Sequence, residues 1–182
     1  MGVPLATRRL HQKGARLLAR NHTEVLIAPD TYQVSPEPIL MIAALYGALA
    51  LCLHDEARSV GGLLHLRFAG GSGRPSDVTD NTLSSVLVVL DRFKRAVLGH
   101  AARRDHIQGR IIAHALPPTD ADEPSASLVD LIHADLEDGK ITCGRQVLRK
   151  PEEVRVCFQP FEGRIWVSGP HDPRITVKAQ GA

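Results

Sequence analysis

The stretch Tyr46 to Leu66, YGALALCLHDEARSVGGLLHL, decides the reading of this chain. An apolar run, Leu49 to Leu53, ends in His54-Asp55, and four of its five residues are large or thiol-bearing apolar side chains. Continuous apolarity over so short a run marks a strand buried on both faces. Gly61-Gly62 reads as a turn, and the strand after it, Leu63 to Phe68, carries His65. Two strands joined this way set His65 opposite the start of the first, beside the Tyr46-Gly47-Ala48 corner. A histidine facing a neighbouring strand is the layout of a Cys-His hydrolase, in which the imidazole activates a thiol. The corner holds Ala48, which has no nucleophilic atom.

Working outward, the same patterning places elements on either side. Glu24 to Ala28 reads as a strand followed by the turn residues Pro29-Asp30. Ser35 to Pro38 is a rigid turn, because a residue before proline is pushed out of helical geometry. Ile39 to Leu45 is a second apolar run, open to strand or helix. Ala69 to Ser76 is a flexible loop rich in glycine. Thr79 to Leu98 predicts a long helix, with Leu83, Val86, Leu87, Leu90, Phe93 and Val97 on one face and Asp77 or Thr79 as its cap. Ile107 to Ala115 reads as a strand, Pro117 to Ser125 as a loop, and Leu128 to Leu136 as a shorter helix ending at Gly139. Ile141 to Leu148, Val154 to Gln159 and Ile165 to Ser168 are strands, the last two forming a hairpin around Phe161 to Gly163. The mixture gives an α+β class with antiparallel neighbours.

Composition bounds the function classes. The chain has 182 residues, 43% apolar and 23% charged, which suits one domain with a substantial core. Net charge is +2, yet residues 1–23 carry Arg8, Arg9, Lys13, Arg16 and Arg20 with no acid. They read as a solvated, poorly ordered extension, with residues 24–170 as the domain and 171–182 as a tail. The body has no basic stripe with interleaved aromatics, so no nucleic-acid partner is expected. Ile39 to Leu53 is interrupted at Gly47 and too short to cross a bilayer, so no transmembrane segment is expected. Cys52, Cys143 and Cys157 are widely spaced with no CxxC pair, which fits buried free thiols and a cytoplasmic location. The nine histidines never fall at metal-ligand spacing, and Gly70 to Gly73 lacks the Gly-Lys-Ser/Thr ending of a phosphate loop. No metal and no cofactor are therefore expected.

Residues Glu24 to Val167 resemble CheD, the chemoreceptor glutamine deamidase family of bacterial chemotaxis. In that family an apolar run ends in Gly-Ser-Cys, continues as a strand to an Asp, and passes a Gly-Gly pair to a His. The matching residues are Tyr46-Gly47-Ala48, Leu49 to Leu53, Asp55, Gly61-Gly62 and His65. The resemblance implies a layered sandwich of mixed and antiparallel strands with one long and one short helix. It implies acyl transfer from a glutamine side chain, in which a thiolate attacks the carboxamide, ammonia leaves, and water hydrolyses the thioester. Carried over residue by residue, the general-base role falls on His65. The nucleophile role falls on Ala48 and an orienting hydroxyl role on Ile42, and both positions are vacant here.

The departures reach further than one atom. Ala113 to Pro117 replaces a glycine-rich segment of the family, and Leu148 to Glu153 replaces its Asp-x-Gly-Gly stretch. The expectation is a CheD-like protein that has lost deamidase activity and acts by binding a chemoreceptor signalling domain or a CheC-type phosphatase. One alternative is an active deamidase using another nucleophile. Cys52 lies on the same strand face as Ala48 but about 13 Å along it, and Tyr46 offers only an unactivated phenol. A second alternative is a scaffold of this fold unrelated to chemotaxis.

Overall fold

The computed structural model describes residues 23–68, 80–100, 104–115 and 127–169. The basic extension, the loops at Ala69–Ser76 and Pro117–Ser125, the Asp77/Thr79 cap and the tail lie outside these residues, except that residue 23 is included.

Among the described residues nine strands, one long helix and one short helix follow in the order β1 (Glu24–Leu26), β2 (Thr31–Ser35), β3 (Leu40–Leu45), β4 (Ala48–Asp55), β5 (Val60–Arg67), α1 (Asp80–His100), β6 (Ile107–Ala115), α2 (Ser127–Asp138), β7 (Thr142–Arg149), β8 (Val154–Gln159) and β9 (Arg164–Ser168). They make a four-stranded sheet, β1-β3-β8-β9, and a five-stranded sheet, β2-β5-β4-β6-β7. Both sheets are mixed, because β1 runs parallel to β3 and β6 parallel to β7 while the other pairs are antiparallel. The α+β class and the layered sandwich expected from the sequence are what the structure has.

The layers follow from strand alternation. Leu49, Leu51 and Leu53 of β4 pack with Val86, Leu90, Phe93 and Val97 of α1 and with Leu128, Ile132 and Leu136 of α2. The intervening Ala48, Ala50 and Cys52 pack with Met41, Ala43, Val156 and Phe158 of the smaller sheet. The five-stranded sheet is thus the middle layer. Its central strand is apolar at nearly every position because both its faces are covered. Ile39 to Leu45, open between strand and helix by pattern alone, supplies β3. The long helix buries Val86, Leu90, Phe93 and Val97, but Leu87 is turned to solvent. Lys94 Nζ meets Asp135 Oδ2 at 2.5 Å and ties α1 to α2.

Two features differ from the sequence reading. Thr31–Ser35 is a strand, unforeseen because only Tyr32 and Val34 alternate inward in a short polar edge segment. Gly61 and Gly62 are not a turn but part of β5. The reversal is made by a single 3-10 turn, Glu56–Arg58, capped by Asp55, whose Oδ1 accepts the backbone N–H of Ala57 at 2.9 Å and of Arg58 at 3.3 Å. Ser59 closes it with φ 49°.

The glycines serve close packing instead. A Cβ on Gly61 would lie 2.8 Å from Phe158 Cζ, and one on Gly62 would lie 2.6 Å from Phe93 Cε2. Phe158 belongs to the smaller sheet and Phe93 to α1, so the pair lets one ring approach β5 from each side.

Candidate functional site

The chain passes from one sheet to the other at Tyr46-Gly47, where Gly47 has φ 59°. Ala48 is the first residue of β4 and stands opposite Arg67 of β5 and His114 of β6. His65 stands opposite Ala50, two register pairs further along, and not opposite the start of β4 as the sequence reading expected. The 3-10 turn at Glu56–Arg58 sets this register, since the glycines are inside the strand. Ala48 and His65 point to the same face and are diagonal neighbours, about 7–8 Å apart between backbone positions.

His65 is buried, and its Nδ1 lies 3.0 Å from the carbonyl oxygen of Ile27. A carbonyl only accepts, so Nδ1 carries the proton and Nε2 the lone pair. Burial holds the imidazole below its ordinary pKa, an effect the Ile27 carbonyl and Asp30 oppose and Arg67 adds to. The ring is a neutral base at neutral pH. Arg67 is anchored beside it by Asp30, through Nε–H to Oδ2 at 2.8 Å and backbone N–H to Oδ1 at 3.1 Å.

His114 went unread in the sequence, where it was one of many scattered histidines. It is fully buried, and its Nδ1 accepts the backbone N–H of Gly47 at 3.3 Å. Its Nε2 donates to the carbonyl of Glu152 at 2.9 Å. Its ring stacks on Tyr46, with centroids 5.9 Å apart at 28°. The available signal was a polar residue inside the apolar strand Ile111–Ala115, which must find partners for both nitrogens. With both nitrogens committed to backbone, His114 has no free group for proton transfer. Ala48, its cross-strand partner, is packed between the sheets and only 1% exposed.

Ile42 is not brought to this corner. It pairs with Leu26 and Cys157 and packs with Leu40 and Trp166 on the far face of the smaller sheet, away from Ala48. Among the thiols, Cys52 stands opposite Leu63, so it is two register pairs from His65 on the side away from Ala48. Measured from His65 it is as near in register as Ala48, a relation the spacing from Ala48 alone conceals. It lies in the apolar layer between the sheets, and burial drives its thiol far above the usual range. Cys143 is pushed up to about 11, again by burial. Cys157 Sγ lies 4.0 Å from Ser168 Oγ, on the far face with Ile42. Among the described residues no group of His, Cys, Asp and Glu side chains is arranged to hold a metal ion. Among them, too, no helix is long and apolar enough to cross a membrane.

No family model matches the chain. A probable chemoreceptor glutamine deamidase CheD of Cupriavidus pinatubonensis is 23% identical over 146 residues, 76% of this chain and 65% of that protein. One from Burkholderia thailandensis is 20% identical over 63% of this chain and 47% of its own length. One from Rhizobium meliloti is 28% identical over half of each chain. The chain thus spans between 47% and 65% of the length of these curated relatives. Among solved structures, hypothetical protein YfiH of Bacillus licheniformis aligns over 76% of this chain and 68% of its own at 13% identity and a TM-score of 0.47. By sequence, then, the chain is similar to the chemoreceptor glutamine deamidases named CheD.

Proposed function

We propose that this chain is a CheD-like protein of bacterial chemotaxis that has lost glutamine deamidation and acts by binding. Its partner on this reading is a chemoreceptor signalling domain or a CheC-type phosphatase. One observation carries the loss of activity: the residue diagonal to the base His65 at the strand corner is Ala48, a methyl group, and it is 1% exposed. Attack on a carboxamide needs a nucleophile within bonding reach of its base and open to the substrate. Ala48 offers neither, and Ile42 supplies no hydroxyl on the face where His65 lies. His65 then serves as a structural residue whose Nδ1–H pins the Ile27 carbonyl.

The reading is tested by incubating the chain with a glutamine-bearing receptor signalling helix and weighing the helix by mass spectrometry. The expected result is no one-dalton gain, together with retention of the helix or the phosphatase on the immobilised chain. A gain that disappears in His65→Ala would sink the loss of activity.

The register gives the active-enzyme reading one specific support, because Cys52 is also diagonal to His65. Burial of Cys52 among apolar side chains opposes it. A one-dalton gain that disappears in Cys52→Ser as well as in His65→Ala would establish that reading in place of the first.

A further inference from the structure

Strand β7 is the outer strand of the five-stranded sheet, with β6 as its one strand neighbour among the described residues. An outer strand presents a row of backbone N–H and C=O groups to whatever lies beside it. In β7 the first of these is closed off. The backbone N–H of Cys143 donates to Glu137 Oε1 at 3.3 Å, and its carbonyl accepts from His133 Nε2 at 2.9 Å. Both side chains come from α2, four residues apart, so one face of that helix caps both outward groups of one residue. Cys143 therefore points its backbone away from β6. Because the two groups of one residue share a side and successive residues alternate, Arg145, Val147 and Arg149 point outward too.

The capping stops there. Further along the strand Val147 is 46% exposed, and Arg145, Arg149 and the following Lys150 are exposed as well. Asp130 of α2 pairs with Arg145, and no described carboxylate is paired with Arg149 or Lys150. One side of this edge thus shows an apolar residue between two cations at the strand period of two.

We propose that Arg145 to Arg149 is an open sheet edge that takes an extended acidic segment of another protein as an added strand. Backbone bonds from Arg145, Val147 and Arg149 would supply affinity. Carboxylates spaced two residues either side of an apolar residue would match Arg149, Val147 and Arg145 in turn. The occupant is identified by charge complementarity, since a basic segment would face like charge directly opposite. The surface is on β7, separate from the Ala48 corner, so its test does not depend on the reading proposed above.

The full chain is titrated with the capped peptide Thr-Glu-Thr-Val-Thr-Glu-Thr, and with its counterpart bearing Lys for Glu, while backbone amides are followed by heteronuclear NMR. The expected result is movement of the Arg145, Val147 and Arg149 amides, larger than at Gln146 and Leu148, with the acidic peptide only. Val147→Pro and Arg149→Glu should each abolish it. The proline removes an outward N–H and no bond to β6, and if it perturbs the fold, Arg149→Glu alone carries the test. Equal movement with the lysine peptide, no movement with the acidic one, or unchanged movement in Arg149→Glu overturns the proposal. So does protection of these amides by concentration-dependent self-association, which would make a second copy of this chain the occupant.

Discussion

Ala48 and His114 are cross-strand partners, and the histidine opposite the alanine has both ring nitrogens bonded to backbone, at Gly47 and at Glu152. The corner between the two sheets is therefore held shut by a side chain that has no proton to give or take without breaking one of those bonds.

Replacing that ring should loosen the corner. His114→Ala leaves the Gly47 N–H and the Glu152 carbonyl without partners and opens a cavity in a fully buried place. The expected cost is about 2–4 kcal/mol. Urea denaturation measures it, and hydrogen exchange should quicken at Gly47 before it quickens in the helices.

A thiol installed at the corner reports on the same latch. Ala48→Cys places a sulfur two register pairs from His65, diagonal to it on the same face. The three native thiols are buried, so the unmodified chain should resist iodoacetamide at mildly alkaline pH until unfolded. Ala48→Cys, at a position that is 1% exposed, should resist as well, and Ala48→Cys with His114→Ala should react about tenfold faster or more, because losing the ring opens the corner. Equal rates in the two variants would show that His114 does not govern access.

The glycine pair makes a sharper structural prediction. Gly61→Ala and Gly62→Ala each set a methyl within 2.8 Å of a phenylalanine ring atom, from opposite layers. Each should cost about 1–3 kcal/mol through overpacking. If the glycines were needed for a turn, Phe158→Leu would not rescue Gly61→Ala. Partial rescue is the expected outcome in calorimetry, with Phe93→Leu doing the same for Gly62→Ala, because the backbone oxygens of Leu53 and Gln33, at 2.8 and 2.9 Å from the added methyls, still crowd them.

His65 should leave a mark on the acid limb of stability. Its folded pKa lies below the ordinary 6.5, so the unfolded chain takes up the proton first. The contribution is complete above about 6.5 and is lost as pH falls from there toward the folded value. His65→Gln keeps a donor for the Ile27 carbonyl and removes the titration. Its stability curve should be flatter than that of the native chain below pH ~6.5 and parallel to it above. Identical slopes would exclude His65 as a source of the acid sensitivity.

What the sequence disclosed depended on how local each signal was. Leu49 to Leu53 and the Val86-Leu90-Phe93-Val97 spacing are periodicities set by burial, so their elements were legible. Thr31–Ser35 was not, because an edge strand needs only two inward residues and its other positions are polar. The glycine pair was misread because glycine permits both a turn and a close approach, and the distant rings of Phe93 and Phe158, with the carbonyls of Gln33 and Leu53, decide between them. Ala48 and His65 were legible as neighbours, though offset by two register pairs. His114 and the distant placement of Ile42 were not, since they depend on β6 and on which face of β3 turns inward.

The two glycines of β5 also bear on how this corner changes over time. A slip of β5 by one residue would turn His65 toward the helices and press a larger side chain, Val60 or Leu63 according to direction, against one of the two phenylalanines. The imidazole is thus kept in place by the packing of the layers, whether or not a thiol stands near it. A scaffold built this way holds His65 in position whatever residue stands at the corner, so the presence of His65 is by itself no sign of turnover.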